Sequence, residues 1–146
     1  MAGWDAIIAS MQEVGIGGGA IVSRENGAVL AISPGFALGS YALDLPDETE
    51  TTTVRMEINE VARLLHAIGH EGTSPDDHGI YIGQKKYYLT LNDPEKHSVY
   101  YKSKDGYACI AYTDRAFVLG TWVNLPPGPC NARVEFIAGQ MAEARF

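Results

Sequence analysis

The chain has 146 residues, 46% of them apolar and 20% charged, with a formal net charge of −7. At this length roughly 70% of the unfolded surface can be buried, so residues 1–146 suit one domain with its own core. With 18 acidic against 11 basic side chains, nucleic-acid binding is not expected, and no apolar stretch is long enough to span a membrane.

The start, Met1-Ala2-Gly3-Trp4, lacks the charged and apolar regions of a secretory signal, so a cytoplasmic protein is expected. Cys109 and Cys130 form no CxxC pair and read as reduced core residues, with one disulfide between them as the alternative.

Trp4, Ile7, Ile8, Met11 and Val14 recur at helical spacing, which predicts an amphipathic helix over 4–14 ended by Gly15–Gly19. Residues 20–33 read as a β-hairpin turning at Glu25-Asn26-Gly27. The stretch 36–53 carries Asp44, Pro46, Asp47, Glu48 and Glu50 and reads as an exposed loop. Thr51–Thr53 then offer an N-cap for a helix over 54–69, marked by Ile58, Val61, Leu64, Leu65 and Ile68 and stopped by Gly69. After a polar loop over 71–78, strands are expected at 79–83, 86–92 (with Tyr87, Leu89 and Leu91 alternating), 97–102, 107–113 and 116–123. Turns fall at Gln84-Lys85, Asp93–Glu95, Asp105-Gly106 and Asp114-Arg115. Prolines 126, 127 and 129 with Gly128 turn the chain, and Val134, Ile137, Ala138 and Met141 mark a helix from Cys130 to Phe146. This order predicts an α+β fold whose terminal helices pack on one face of an antiparallel sheet.

Catalytic motifs are absent. Gly15–Ala20 fits GxGxxA, but a helix precedes it and a strand follows, the reverse of a dinucleotide site. His66 and His70 stand i,i+4 near Glu71, Asp76, Asp77 and His78. Two such histidines can chelate a metal, yet no HExxH order accompanies them, and a solvated helix end is the simpler reading; no metal, cofactor or enzyme activity is expected. No GxSxG elbow is present. Trp4 and Phe136 are the unexplained aromatics. They either cap the core or, if the terminal helices lie side by side, line a groove fit for a polyproline II ligand.

Several segments resemble the profilins. These are the opening Met1–Ala6, the hairpin of 20–22 and 28–31, Gly79–Gly83 through Lys86-Tyr87, and above all Ala116–Gly120, Pro127-Gly128-Pro129-Cys130-Asn131, Val134-Glu135 and Met141. The resemblance spans nearly the whole chain, with 39–77 longer than usual. It implies a central antiparallel sheet with both terminal helices on one face and the middle helix on the other. It further implies a cytoplasmic, cytoskeletal protein that binds monomeric actin, regulates its polymerisation and nucleotide exchange, and docks proline-rich partners such as formins. For actin the carried positions are Lys102, Lys104, Tyr107, Trp122, Pro127, Gly128 and Ala132, with Arg133 beside them and Leu91 where an Arg is usual. For polyproline they are Trp4, Ile7, Leu30, Phe136 and Gln140. Ile7 and Leu30 replace a Tyr and a Trp, and Phe136 replaces a His, so a weakened groove is implied. The net acidity argues against strong phosphoinositide binding, also a family trait. The rival class is a roadblock- or longin-type adaptor, which would dimerise and ignore actin.

Overall fold

In the chain's computed structural model, residues 3–46, 49, 51–76 and 78–146 are described. Helix α1 (Gly3–Glu13) leads into β1 (Gly18–Ser23) and β2 (Val29–Ile32), then β3 (Ser40–Pro46), β4 (Thr53–Asn59) and helix α2 (Glu60–Gly69). Strands β5 (Ile80–Ile82), β6 (Lys85–Asp93), β7 (Ser98–Lys102), β8 (Gly106–Tyr112) and β9 (Ala116–Val123) follow, and α3 (Pro127–Glu143) closes the chain. Seven strands form one antiparallel sheet in the order β2-β1-β9-β8-β7-β6-β5, while β3 and β4 make a separate ribbon.

Alternation along the central strands divides the core in two. Ile21, Cys109, Val118 and Trp122 face Ile8 and Met11 of α1 and Val134, Ile137 and Met141 of α3. On the opposite face Val22, Ile110, Phe117 and Leu119 meet Leu64, Ala67 and Ile68 of α2. The fold expected from the sequence is therefore the one observed. Gly19 answers to packing: a Cβ there would lie 2.6 Å from the Met11 sulfur. Both cysteines are free and buried, and burial pushes the Cys109 thiol well up.

Residues 36–53 are not the expected loop. β3 and β4 pair in register from Ser40–Asn59 to Pro46–Thr53, with Tyr41, Leu43, Leu45, Val54, Met56 and Ile58 on one face. The predicted helix over 54–69 starts only at Glu60, since Val54, Met56 and Ile58 alternate as a strand does. Its cap is Asn59, whose Oδ1 accepts from the Ala62 N–H at 3.0 Å, and Thr53 opens β4 instead. The turn that ends α2 comes after Gly69, at Glu71 and Gly72, whose φ values are +59° and +89°; the Gly72 N–H returns to the Ala67 carbonyl at 2.8 Å. Asp44 sits on β3 opposite Arg55, while Asp47, Glu48, Glu50, Asp77, Met1 and Ala2 lie outside the described residues.

A buried carboxylate fastens this ribbon to the sheet. Glu60 is fully buried and accepts from the backbone N–H of Gly39 (3.2 Å), Gly83 (2.9 Å) and Gln84 (2.8 Å) and from the Tyr41 hydroxyl. Burial, then this bond to Glu60, pushes the Tyr41 phenol above its ordinary range. Gly83 and Gln84 both have positive φ and form the two-residue β5–β6 turn, one residue earlier than expected. Arg63 holds Asp76 at 2.8 Å and the Gly79 carbonyl at 3.1 Å, fixing the loop after α2. α3 begins at Pro127 rather than Cys130; prolines are tolerated in a first turn because its N–H groups have no intrahelical partner.

Candidate binding surfaces

Two aromatic surfaces lie on the face that carries α1 and α3. The first is set by strand register. Lys102 of β7 stands opposite Tyr88 of β6 and Tyr107 of β8, and Tyr107 opposite Trp122 of β9, so the four side chains make one row across the sheet. The Lys102 ammonium lies 4.7 Å from the Tyr107 ring centroid, and Lys86 lies 5.1 Å from that of Tyr88. Tyr107 stacks on Trp122 at 6.2 Å and 27°. Trp122 is only 3% exposed, so it is the floor beneath Tyr107 rather than a contact residue, and its indole N–H finds no acceptor among the described residues.

A bulge widens the row. The alternation of Tyr87, Leu89 and Leu91 breaks between Leu89 and Leu91: Leu89 pairs with Tyr101 on the α2 face and Leu91 with Tyr100 on the α3 face. Tyr88 and Leu91 are 58% and 55% exposed beside Lys102. Tyr100 braces the row's inner edge by donating to Glu135 of α3 at 2.5 Å; burial and this bond push its phenol up.

At the end of the row Lys104 is exposed in the β7–β8 turn, where Lys85 pairs with Asp105 at 3.0 Å; that bond lowers the Asp105 carboxyl. Pro127, Gly128 and Ala132 are exposed on the first turns of α3. Arg133 stands apart from this surface. Its guanidinium donates to the Ser10 carbonyl (2.8 Å) and hydroxyl (2.7 Å) and lies 3.6 Å from Glu13, tying α3 to α1.

The second surface runs along α1 and α3, which lie antiparallel: Cys130 and Arg133 meet Val14 and Ser10, while Trp4 meets the chain end. Trp4 packs edge-to-face on Phe146, centroids 5.2 Å apart and planes at 82°. Phe146 is held by its N–H to the Met141 carbonyl (2.8 Å) and by the Thr113 hydroxyl donating to its carbonyl (2.7 Å). Sequence reasoning missed Phe146, whose partners Trp4 and Thr113 are remote in sequence. Trp4 and Leu30 share a cleft of about 390 Å³ between α1 and β2, with Ile8 and Gln12 on its wall. Ile7 packs partly into the core. Phe136, 60% exposed, and Gln140 lie on the outer side of α3.

Neither surface holds a nucleophile with a base beside it. Among the described residues no three His, Cys, Asp or Glu side chains gather as a metal site, and no helix is long and apolar enough to cross a membrane.

An antiparallel sheet between a terminal helix pair and a middle helix, with this row at its end, defines the class of protein. The sequence matches the profilin family over residues 2–146. It is 30% identical over 161 aligned positions to a profilin of Tetrahymena pyriformis, covering 100% of both chains. The chain belongs to the profilin family. Its fold is similar to Acanthamoeba castellanii profilin IB (TM-score 0.72, 18% identity, 98% of this chain and 99% of that one). It is also similar to LokiProfilin1, solved with rabbit actin (0.69, 12%, 99% and 97%). Mouse profilin IIa, solved with a double repeat from the FH1 domain of mDia1, matches as well (0.70, 14%, 99% and 100%).

Proposed function

We propose that this protein binds monomeric actin through the Lys102–Tyr107 row and the start of α3, and so regulates polymerisation. The observation that carries the reading is that Lys86, Tyr88, Leu91, Lys102 and Tyr107 share one face of the sheet in a member of the profilin family, with Tyr88, Leu91 and Lys102 exposed and Lys86 and Tyr107 half-buried. Exposed aromatics supply contact area at low entropic cost, and lysines held over their rings steer an acidic partner. LokiProfilin1 with actin supports the partner class. Delivery to filament ends and promotion of nucleotide exchange belong to the same proposal, with a cytoplasmic location.

The surface along α1 and α3, with the cleft between α1 and β2 beside it, is the proposed dock for proline-rich segments such as those of formins; mouse profilin IIa was solved with a double repeat from the FH1 domain of mDia1. Here Trp4 and Phe146 form its aromatic core, and affinity is reduced by Ile7 and Leu30 in place of aromatics. Phosphoinositide binding is weak, since the net charge is −7. The family match leaves the adaptor reading without support.

Spontaneous polymerisation of purified actin tests the first proposal. Increasing amounts of this protein should slow nucleation in proportion to dose. No effect at large molar excess overturns it.

A further inference from the structure

The β3–β4 ribbon takes no part in either surface. Tyr41, Leu43, Leu45, Val54, Met56 and Ile58 line one of its faces, and Asp44, Arg55 and Glu57 lie on the other. The base is fastened: Ile58 is buried, Tyr41 donates to Glu60, and the Met56 sulfur lies 3.6 Å from Arg63. Farther out, Leu43 and Leu45 are half-buried, Val54 is 55% exposed, and none of the three belongs to either half of the core. Among the described residues β3 and β4 pair only with each other, so each leaves an outer edge with no strand beside it. β4 runs straight into α2, which packs beside it, so β3 is the open side. Two strands alone are marginally stable in water, and a third strand is what such a ribbon lacks. Exposed edges are ordinarily blunted with lysine or proline; neither strand carries a lysine, and the one proline, Pro46, ends β3. Between Ser40 and Asn59 the sequence holds five carboxylates (Asp44, Asp47, Glu48, Glu50 and Glu57) against one base, Arg55.

We propose that β3 takes a third strand from a protein partner, an extended segment in which apolar residues alternate with lysine or arginine. Backbone bonds along β3 supply the affinity and the alternating side chains the specificity. Side chains of a strand point to opposite faces in turn, so the partner's apolar residues continue the stripe of Tyr41, Leu43 and Leu45, and its basic residues fall on the face of Asp44. A second copy of this chain does not fit, since it brings the same five carboxylates. The acidic partner that the Lys102 row suits does not fit either, for the same reason of charge. The ribbon is thus a second docking surface, selective for a cationic partner and independent of the actin reading.

Fluorescence anisotropy of the full chain with a labelled peptide of alternating valine and lysine tests the proposal. Expected is saturable binding that weakens with salt, with slowed amide exchange along β3 when the peptide is bound. Val54→Asp, at an exposed position of the stripe, should weaken it at least ~tenfold. Asp44→Asn, exposed on the other face, should weaken it about threefold and flatten the salt dependence. The same peptide N-methylated at alternate residues, which cannot pair as a strand, should not bind. Val54→Asp should slow actin nucleation as the parent does. Equal binding of a lysine–serine peptide or of the N-methylated one, or no binding up to about 1 mM, overturns the proposal. So does a concentration-dependent dimer that Val54→Asp abolishes, which gives the ribbon to a second copy, or loss of the actin effect in that variant, which gives it to actin.

Discussion

The row across β6–β9 and the surface along α1 and α3 are both aromatic, but they are assembled differently. In the row every side chain is placed by hydrogen-bonded register, so Lys102 faces Tyr107 because β7 and β8 pair there. Along α1 and α3 the aromatic pair joins two segments remote in sequence, Trp4 and Phe146, the latter held by one capping carbonyl and one threonine hydroxyl. A register-built surface tolerates changed residue types, because the backbone sets the spacing. A surface built from termini depends on each anchor.

Substitutions can break this comparison, and the largest effect is expected in the row. Tyr107→Ala removes a ring that supports Lys102 and rests on Trp122. Actin affinity should fall by about 2 kcal/mol, roughly thirtyfold, as read by anisotropy with labelled actin. In the groove Phe146→Ala should weaken oligoproline binding by about 1 kcal/mol, the worth of an aromatic pair, in a tryptophan-fluorescence titration. An unaltered titration would remove the chain end from the groove. Phe136→Ala, on the outer side of α3, should cost less in the same assay.

Arg133→Gln sharpens the division. It should lower stability by about 1 kcal/mol through lost bonds to Ser10 and leave the salt dependence of actin binding unchanged.

A smaller effect concerns pH. The Arg63 hydrogen bond holds the Asp76 carboxyl below its ordinary value. A carboxylate whose folded pKa is lowered contributes stability above its unfolded pKa of about 3.9 and loses it as pH falls through the folded value. Urea midpoints should therefore drop more steeply below about pH 4 in the parent than in Asp76→Asn, which starts lower at neutral pH.

The β6–β9 meander was legible because short apolar runs, alternating only in β6, are punctuated by turn residues such as Asp93-Pro94 and Asp114-Arg115. The β3–β4 ribbon was not. Ile58 serves two patterns at once: period two with Val54 and Met56, and helical spacing with Val61 and Leu65. Asn59, the side-chain cap between them, was the overlooked marker. For the row, residue types were visible but their convergence required three registers and the bulge near Thr90, which moves Leu91 to the face of Tyr88. Phe146 was hidden because its partners, Trp4 and Thr113, are remote in sequence. Arg133 looked like part of a cationic patch, yet its charge is spent between helices.

The salt dependence of actin affinity for the parent and Lys102→Glu tests the central claim most directly. If the row is the actin contact, the parent should bind more weakly as salt rises, while Lys102→Glu binds about tenfold more weakly at low salt with a flatter slope. Equal affinities and equal slopes for the two proteins would contradict it and move the actin contact away from the sheet end.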